Sequence, residues 1–456
     1  MLMSVVAEAL ADLARRYQRM HTIMAAADEG RVAEALTAAT PHVSVSPLAV
    51  WAQLALIGDA VGARSGEVAP ATSDAAELVR GVLAHPHPAC TVGATIWLPF
   101  RSVDDRQRLE MLADSLREQG HWAGPGMPRL EDLDAWTADH TGGAIGQFPV
   151  DLAPGLFHIP SDWETGGAEP DSTPGLVTAI AFQTGGHWPA PLEVVPAGEL
   201  AAPWSISHAL RVSGPECGLA WDTEVGLVGV AVNRSGNGMF TVSAIADPGC
   251  REAEVTGAAT RITRRFAAGE RVLLRGNELP VGDGGWWRVS DSPLYRGGLM
   301  EQQHNAALLP IWQSIDVHDL MAMGLGYWNV MQESMLPQLA DAFDHAVAQH
   351  VSVLRFDNLG FGAAAVAAAG AVRGGWVSAL YADHITEPVD LGPLPAFDGG
   401  GTLVELDFRH PFAAVVATAS EHGGSFWQGL PLHVAWVVEA DPQVPDTRPS
   451  GYLEDW

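Results

Sequence analysis

Residues 351–376 read VSVLRFDNLGFGAAAVAAAGAVRGGW. The stretch opens as a strand, because Val351, Val353, Arg355 and Asp357 alternate with Ser352, Leu354 and Phe356 at period two. Asn358 and Gly360 break that alternation, since both tolerate backbone angles that branched residues avoid. Phe, Gly, Ala and Val then fill positions 361–372, and Arg373-Gly374-Gly375 closes the run. A run of this length falls short of the roughly 18 to 20 apolar residues a bilayer span needs. Its composition admits a buried Ala-rich helix or a flexible linker. Gly362 and Gly370 would each cost a helix about 1 kcal/mol.

A strand, a Gly, then small residues leading to an Arg also resemble the hinge and reactive-centre loop of the serpin family. In that family the hinge reads Gly, a small hydroxylated residue, an acidic residue and a run of Ala. Gly360 falls on the Gly, and Ala363, Ala364, Ala365, Val366 and Ala367 fall on the small run, while Phe361 and Gly362 depart from it.

Further stretches carry the same resemblance in the same order. Residues 43–67, VSVSPLAVWAQLALIGDAVGARSGE, read as a strand, a Ser-Pro corner and a helix apolar nearly all round. Ser46 suits the N-cap and Pro47 the first turn, where its missing N–H costs nothing. This resembles the serpin strand, Ser-Pro and buried helix, with Ala49 in place of a second Ser. Residues 92–99 resemble the strand that follows, and a helix is expected over 104–120. Residues 133–145, LDAWTADHTGGAI, place Trp136, Thr141, Gly143 and Ile145 on the family's helix that crosses the main sheet, with Ala144 in place of its Lys. Leu133 and Trp136 share a helix face, and Gly142-Gly143 supply the stop. Residues 176–182 form an apolar strand leading through a Gly turn to Trp188 and Pro191. Phe182 and Trp188 fit the family pattern, with two residues added before Trp188. Near the C-terminus Phe408, Pro411 and Phe412 resemble the lead into the family's last hairpin.

Between these stretches the residues speak for themselves. Residues 225–232 and 239–246 flank an Asn-Arg-Ser-Gly-Asn-Gly turn and read as a hairpin. Further strands are expected at 271–274, 286–289, 403–408, 411–418 and 432–438. Residues 308–350 mix helical spacing with apolar runs and carry no motif.

Composition bounds the partners. Acidic residues outnumber basic ones 54 to 25, a net charge of -29, which argues against nucleic acid or an anionic membrane. Every basic residue is Arg, a coding bias more than a chemistry. Cys90, Cys217 and Cys250 are odd in number and widely spaced, fitting buried thiols better than disulfides or zinc. His85 and His87 lie in an HPHP loop with no third ligand at metal spacing, so neither a metal nor a cofactor is expected. No GxSxG, P-loop, HExxH or strand-borne GxGxxG is present. The first residues are amphipathic and lack a positive leader region, which makes the cytoplasm the default and an extracellular location the alternative.

The resemblance implies a divergent, bacterial serpin-like protein forming one domain over residues 1–456. Its fold would be mixed α+β, with a large central sheet, two smaller sheets, about nine helices and an exposed reactive-centre loop. The loop and an insertion would occupy about 358–407. The implied function is inhibition of a trypsin-like serine protease by a monomer that is not an enzyme: the loop is cut as bait and inserts into the sheet as a strand. The alternative is a non-inhibitory binding or structural protein on the same fold. The bait bond would be Arg373–Gly374, unless Arg373 is simply an exposed loop residue. On insertion Phe361 would share a face with Ala363, Ala365 and Ala367 and overfill a slot that takes a small residue in the family. Overpacking costs about 1 to 3 kcal/mol, so insertion should be slow, and Phe361→Thr should raise the yield of trapped protease.

Overall fold

The structure is a computed structural model. It describes residues 42–60, 73–98, 122–125, 130–150, 177–292, 303–321, 345–372, 401–419 and 427–441, together with positions 114, 325, 327, 330 and 331. Strands β1–β18 and helices α1–α5 are numbered in chain order.

The first sheet runs in the order β1 (Val43–Val45), β18 (Pro431–Val437), β17 (Phe412–Thr418), β9 (Met239–Ile245), β8 (Gly226–Arg234) and β7 (Cys217–Asp222). In the second, the order is β10 (Gly282–Asp283), β11 (Trp287–Ser292), β16 (Gly401–Asp407), β12 (Gln303–Leu309), β6 (His208–Ser213) and β5 (Glu193–Pro196). The third is β13 (Trp312–Asp319), β14 (His345–Phe356), β15 (Gly360–Val372), β4 (Val177–His187), β2 (Cys90–Leu98) and β3 (Trp122–Pro125). All three sheets thus have six described strands. The third is the large one by strand length, with β14, β15 and β4 at 12, 13 and 11 residues.

Helix α1 (Pro47–Ala60) packs behind this third sheet beside α2 (Ser73–Ala84), and α3 (Leu130–Thr141) crosses its front. Helix α4 (Ala201–Trp204) is one turn, and α5 (Glu252–Ala267) packs on β17 and β9. The described residues therefore hold five α-helices and two short 3₁₀ turns rather than about nine helices. Most of the helix expected over 104–120, and the amphipathic N-terminal stretch, lie outside the described residues. Among the described residues no helix is long and apolar enough to cross a membrane.

Each side chain that marked the Ser-Pro corner has a structural task. The Ser46 hydroxyl accepts the Ala49 N–H at 3.2 Å, which makes it the N-cap of α1, and donates to the Leu432 carbonyl at 2.7 Å. Pro47 opens the helix. Leu48, Trp51, Leu54 and Ile57 are all buried, as a helix apolar on every side requires.

Helix α3 ends as its glycines suggest. Gly142 and Gly143 take positive φ of 59° and 79°, and the Gly143 N–H reaches back to the Ala138 carbonyl at 2.8 Å. The Thr141 hydroxyl donates to the Thr137 carbonyl and accepts the Ile145 N–H, tying the helix end to the next turn. Trp136 is buried edge-on to Trp97 and stacks on His140, with ring centroids 6.1 and 4.7 Å away. Pro411 is exposed and leads to Phe412, which packs edge-on against Phe408 and Trp204.

Several expected boundaries move. Residues 271–274 make only an isolated bridge, Leu273 to Ala220. The motif-free stretch 308–350 contains β13 and the start of β14. Strand β4 does not end at a Gly turn but continues through Gly185 and Gly186 to His187.

Candidate functional site at the inserted strand

The stretch expected as an exposed loop is, over Gly360–Val372, the third strand of the central sheet. Strands β14 and β15 form an antiparallel hairpin without a register break, from Phe356↔Phe361 to His345↔Val372. On its other side β15 pairs with β4 from Gly360↔His187 to Gly370↔Val177. Ala365 through Ala369 are fully buried.

Burial on both faces explains the composition. Phe361, Ala363, Ala365, Ala367 and Ala369 point into the main core, while Ala364, Val366 and Ala368 lie in the cluster beneath α3 with Trp136 and Phe148. A strand covered on both faces reads as a continuous apolar run. Helices α1 and α3 both contact this strand, and small side chains let layers on both sides approach closely. The run is therefore neither helix nor linker.

The turn between β14 and β15 is tied at nearly every polar group. The Asp357 carboxylate Oδ1 accepts the N–H groups of Leu359 and Gly360 at 2.8 and 3.0 Å, an Asx turn. The Asp357 N–H donates to the Gly360 carbonyl at 3.0 Å. The Asp357 carbonyl accepts the Trp188 indole N–H at 3.0 Å, the Asn358 carbonyl the Leu192 N–H at 2.8 Å, and the Leu359 carbonyl the Trp188 N–H at 2.9 Å. Trp188 is thus the residue that clasps the turn to the end of β4.

Phe361 does not overfill its slot, contrary to the expectation from the family pattern. Its ring lies 5.7 Å from the Trp188 ring, which in turn lies 5.5 Å from Phe356. Directly across the ladder stands Gly186, where a Cβ would come within 2.9 Å of the Phe361 ring and 2.5 Å of the Ser235 Cβ. The departure at Phe361 and the extra glycine before Trp188 are complementary. Phe361→Thr would remove ring contacts rather than relieve strain. Gly360 is equally specific: a Cβ there would sit 2.1 Å from the Gly186 carbonyl oxygen.

Behind the strand lies a buried polar cluster that sequence reading missed. His350, opposite Ala367 in the ladder, accepts the Ser46 N–H on Nε2 at 3.3 Å. His318 lies 5.9 Å away ring to ring, with Nε2 3.1 Å from the Ser44 carbonyl. Asp316 accepts the Ser44 N–H and hydroxyl at 2.7 and 2.8 Å. Burial holds His433 down to about 3, and burial followed by the charges of His318 and His433 holds His350 well below the usual imidazole range. Burial also raises the Asp316 carboxyl.

Of the other expected positions, Phe182 is buried on β4 opposite Ala365, and Gly362 pairs with Gly185. Arg373 and Gly374 follow Val372 directly but lie outside the described residues. His87 is buried edge-on to Trp427. No group of three or more metal-ligating side chains occurs among the described residues. Cys90, Cys217 and Cys250 are free thiols; Cys217 is buried and the other two half-buried.

No protein-family model matches the sequence, and no curated protein matches it. Solved structures do. Cleaved Serpin 42Da matches with a TM-score of 0.52 and 13% identity over 96% of this chain and 99% of its own. A loop-inserted structure of a cleaved ovalbumin mutant gives 0.52 and 13% over 95% and 99%. The chain has a serpin-like fold.

Proposed function

We propose that this is a non-inhibitory serpin-like protein in which the bait-equivalent segment is a permanent strand of the central sheet. The observation that carries this reading is the fit of β15 between β14 and β4, with Phe361 matched to Gly186 and the backbone of the turn at Asp357 held by Trp188, Leu192 and the Asp357 carboxylate. These are departures from the serpin pattern that suit the inserted state in particular. Chain length supports it as well. The 13 residues of β15 carry the chain about 43 Å down the sheet at 3.3 Å each. The 28 residues from 373 to 400 (400 − 373 + 1) could reach roughly 90 to 100 Å if extended. An uncut chain can therefore hold β15 in the central sheet and β16 in the second sheet at once. On this reading the protein is a single-domain monomer with no catalytic residues of its own, and it acts by binding.

The competing reading is protease trapping, which the serpin-like fold itself favours. It needs residues 360–372 outside the sheet when a trypsin-like protease reaches Arg373–Gly374. The two part company on a denaturing gel after incubation with trypsin. Permanent insertion gives cleaved protein and no covalent complex. A stable protease adduct at Arg373 would establish trapping and overturn the proposal.

A further inference from the structure

Strand β13 forms one border of the central sheet, and the ladder shows which of its backbone groups face outward. Asp319 stands opposite Gln349, and the next residue, Leu320, donates its N–H to the Ala348 carbonyl at 2.9 Å. In an antiparallel pair only alternate residues exchange hydrogen bonds. Ser314, Asp316 and His318 therefore bond to β14, while Gln313, Ile315, Val317 and Asp319 turn their N–H and C=O groups away from it. The start of that outer edge is covered. The Asp441 N–H donates to the Ile311 carbonyl at 2.7 Å, and His42 sits at the Gln313 backbone. Among the described residues nothing bonds the outward groups of Ile315 or Val317.

The same two residues expose their side chains, Ile315 by 63% and Val317 by 51%. Opposite them in the ladder, Val353 and Val351 are buried in the cluster beneath α3. The exposed pair thus carries the apolar front face out to the border of the sheet. Proteins blunt an open edge with a bulge, a proline, a basic side chain or a cover. Over its 8 residues β13 has no register shift, no Pro and no Arg, and its cover stops at Gln313. Such an edge is a template for another strand.

Charge indicates which strand. Asp319 is the exposed charged residue on β13, and the whole chain carries a net charge of -29. A basic segment is attracted to this edge, whereas a second copy would bring the same negative charge against it.

We infer that β13 takes up an extended, basic segment of a partner protein as a further strand of the central sheet, its β-branched side chains packing on Ile315 and Val317. This rests on the binding role proposed above but not on the inserted strand, because β13 pairs with β14 and not with β15. The test is calorimetric titration of the intact protein with the peptide Arg-Val-Thr-Val-Thr-Val-Arg, whose Val side chains share one face. Binding with a Kd below about 100 μM is expected. The acidic counterpart, with Glu in place of Arg, should bind at least about tenfold more weakly. Val317→Pro removes an outward N–H that β14 does not use. Its thermal midpoint should hold within a few degrees while binding falls at least about tenfold. Ile315→Arg leaves the backbone untouched and should weaken the peptide to the same degree. No binding by the wild type, equal binding of the acidic peptide, or equal binding by either variant would overturn the assignment. So would a wild-type dimer in sedimentation that Val317→Pro dissolves, which would give the edge to a second copy. The trypsin gel judges the proposed function by a separate readout. A peptide that fails to bind, with no covalent protease complex on the gel, rejects the edge alone.

Discussion

Acidification from about pH 7 to about pH 4 is expected to remove a large part of the protein's stability. Burial lowers His433 to about 3 and His42 to about 4, and holds His350 well below its ordinary value. A histidine whose folded pKa lies below its unfolded value, near 6.5, contributes stability that is complete above 6.5. That contribution drains away as pH falls, because the unfolded chain takes up the proton first. One pKa unit is worth about 1.4 kcal/mol. His433 and His42 would each lose about 3 kcal/mol by about pH 4, before His350 is counted, against a usual domain stability of about 5 to 15 kcal/mol. Asp316 acts in the opposite sense: its raised pKa means the folded state gains the proton first, so its share improves in acid. Acid also relieves part of the self-repulsion of a chain with net charge -29. His433→Leu separates these effects. It should move the acid-unfolding midpoint to lower pH, and an unmoved midpoint would show that the buried imidazole does not set acid lability.

Gly360→Ala should release the start of β15 from the sheet. The added Cβ would lie 2.1 Å from the Gly186 carbonyl oxygen and 3.2 Å from the His187 Cα. Both obstacles are backbone atoms held in a ladder, so no side-chain rotation relieves the clash. Overpacking in a core that can adjust costs about 1 to 3 kcal/mol. Here the cost should exceed that, about 4 kcal/mol or more, unless the strand parts from β4. Gly185→Ala is the milder comparison, because its Cβ would meet the Phe361 carbonyl oxygen at 3.3 Å, a tight contact that a shift of a few tenths of an ångström relieves. In thermal unfolding the Gly360 variant should melt far below wild type, and the Gly185 variant well above the Gly360 variant. A Gly360→Ala protein as stable as wild type would show that the ladder is not closed at this end.

The elements most legible in the sequence were those whose residues have only one structural use. Ser46-Pro47 before an all-round apolar run becomes an N-cap and a buried helix. Thr141-Gly142-Gly143 becomes a helix stop with two positive-φ glycines. The alternation at Val351–Phe356 becomes the upper half of β14. Illegible parts were those in which meaning depends on a residue elsewhere in the chain. Phe361 looks like a misfit until Gly186, 175 positions earlier (361 − 186), stands opposite it. Gly185-Gly186 looks like a turn until Phe361 and Gly362 extend the ladder past it. The histidine cluster has no spacing to find, because His318, His350 and His433 come from β13, β14 and β18 and meet only when two sheets pack. The position of 360–372, in the sheet rather than outside it, depends on the same long-range complementarity. A hinge-like composition states that the segment can be a strand, and its partners determine that it is one.

The most direct test of the inserted strand is thermal unfolding of the intact protein and of the protein cut within 373–400. If Gly360–Val372 already completes the central sheet, cutting the connection adds no strand, and the two midpoints should agree within a few degrees. If the segment lies outside the sheet, the cut frees it to enter. A new strand forms about ten backbone hydrogen bonds at about 1 kcal/mol each, and the midpoint would rise by tens of degrees. A rise of that size would contradict the permanent strand.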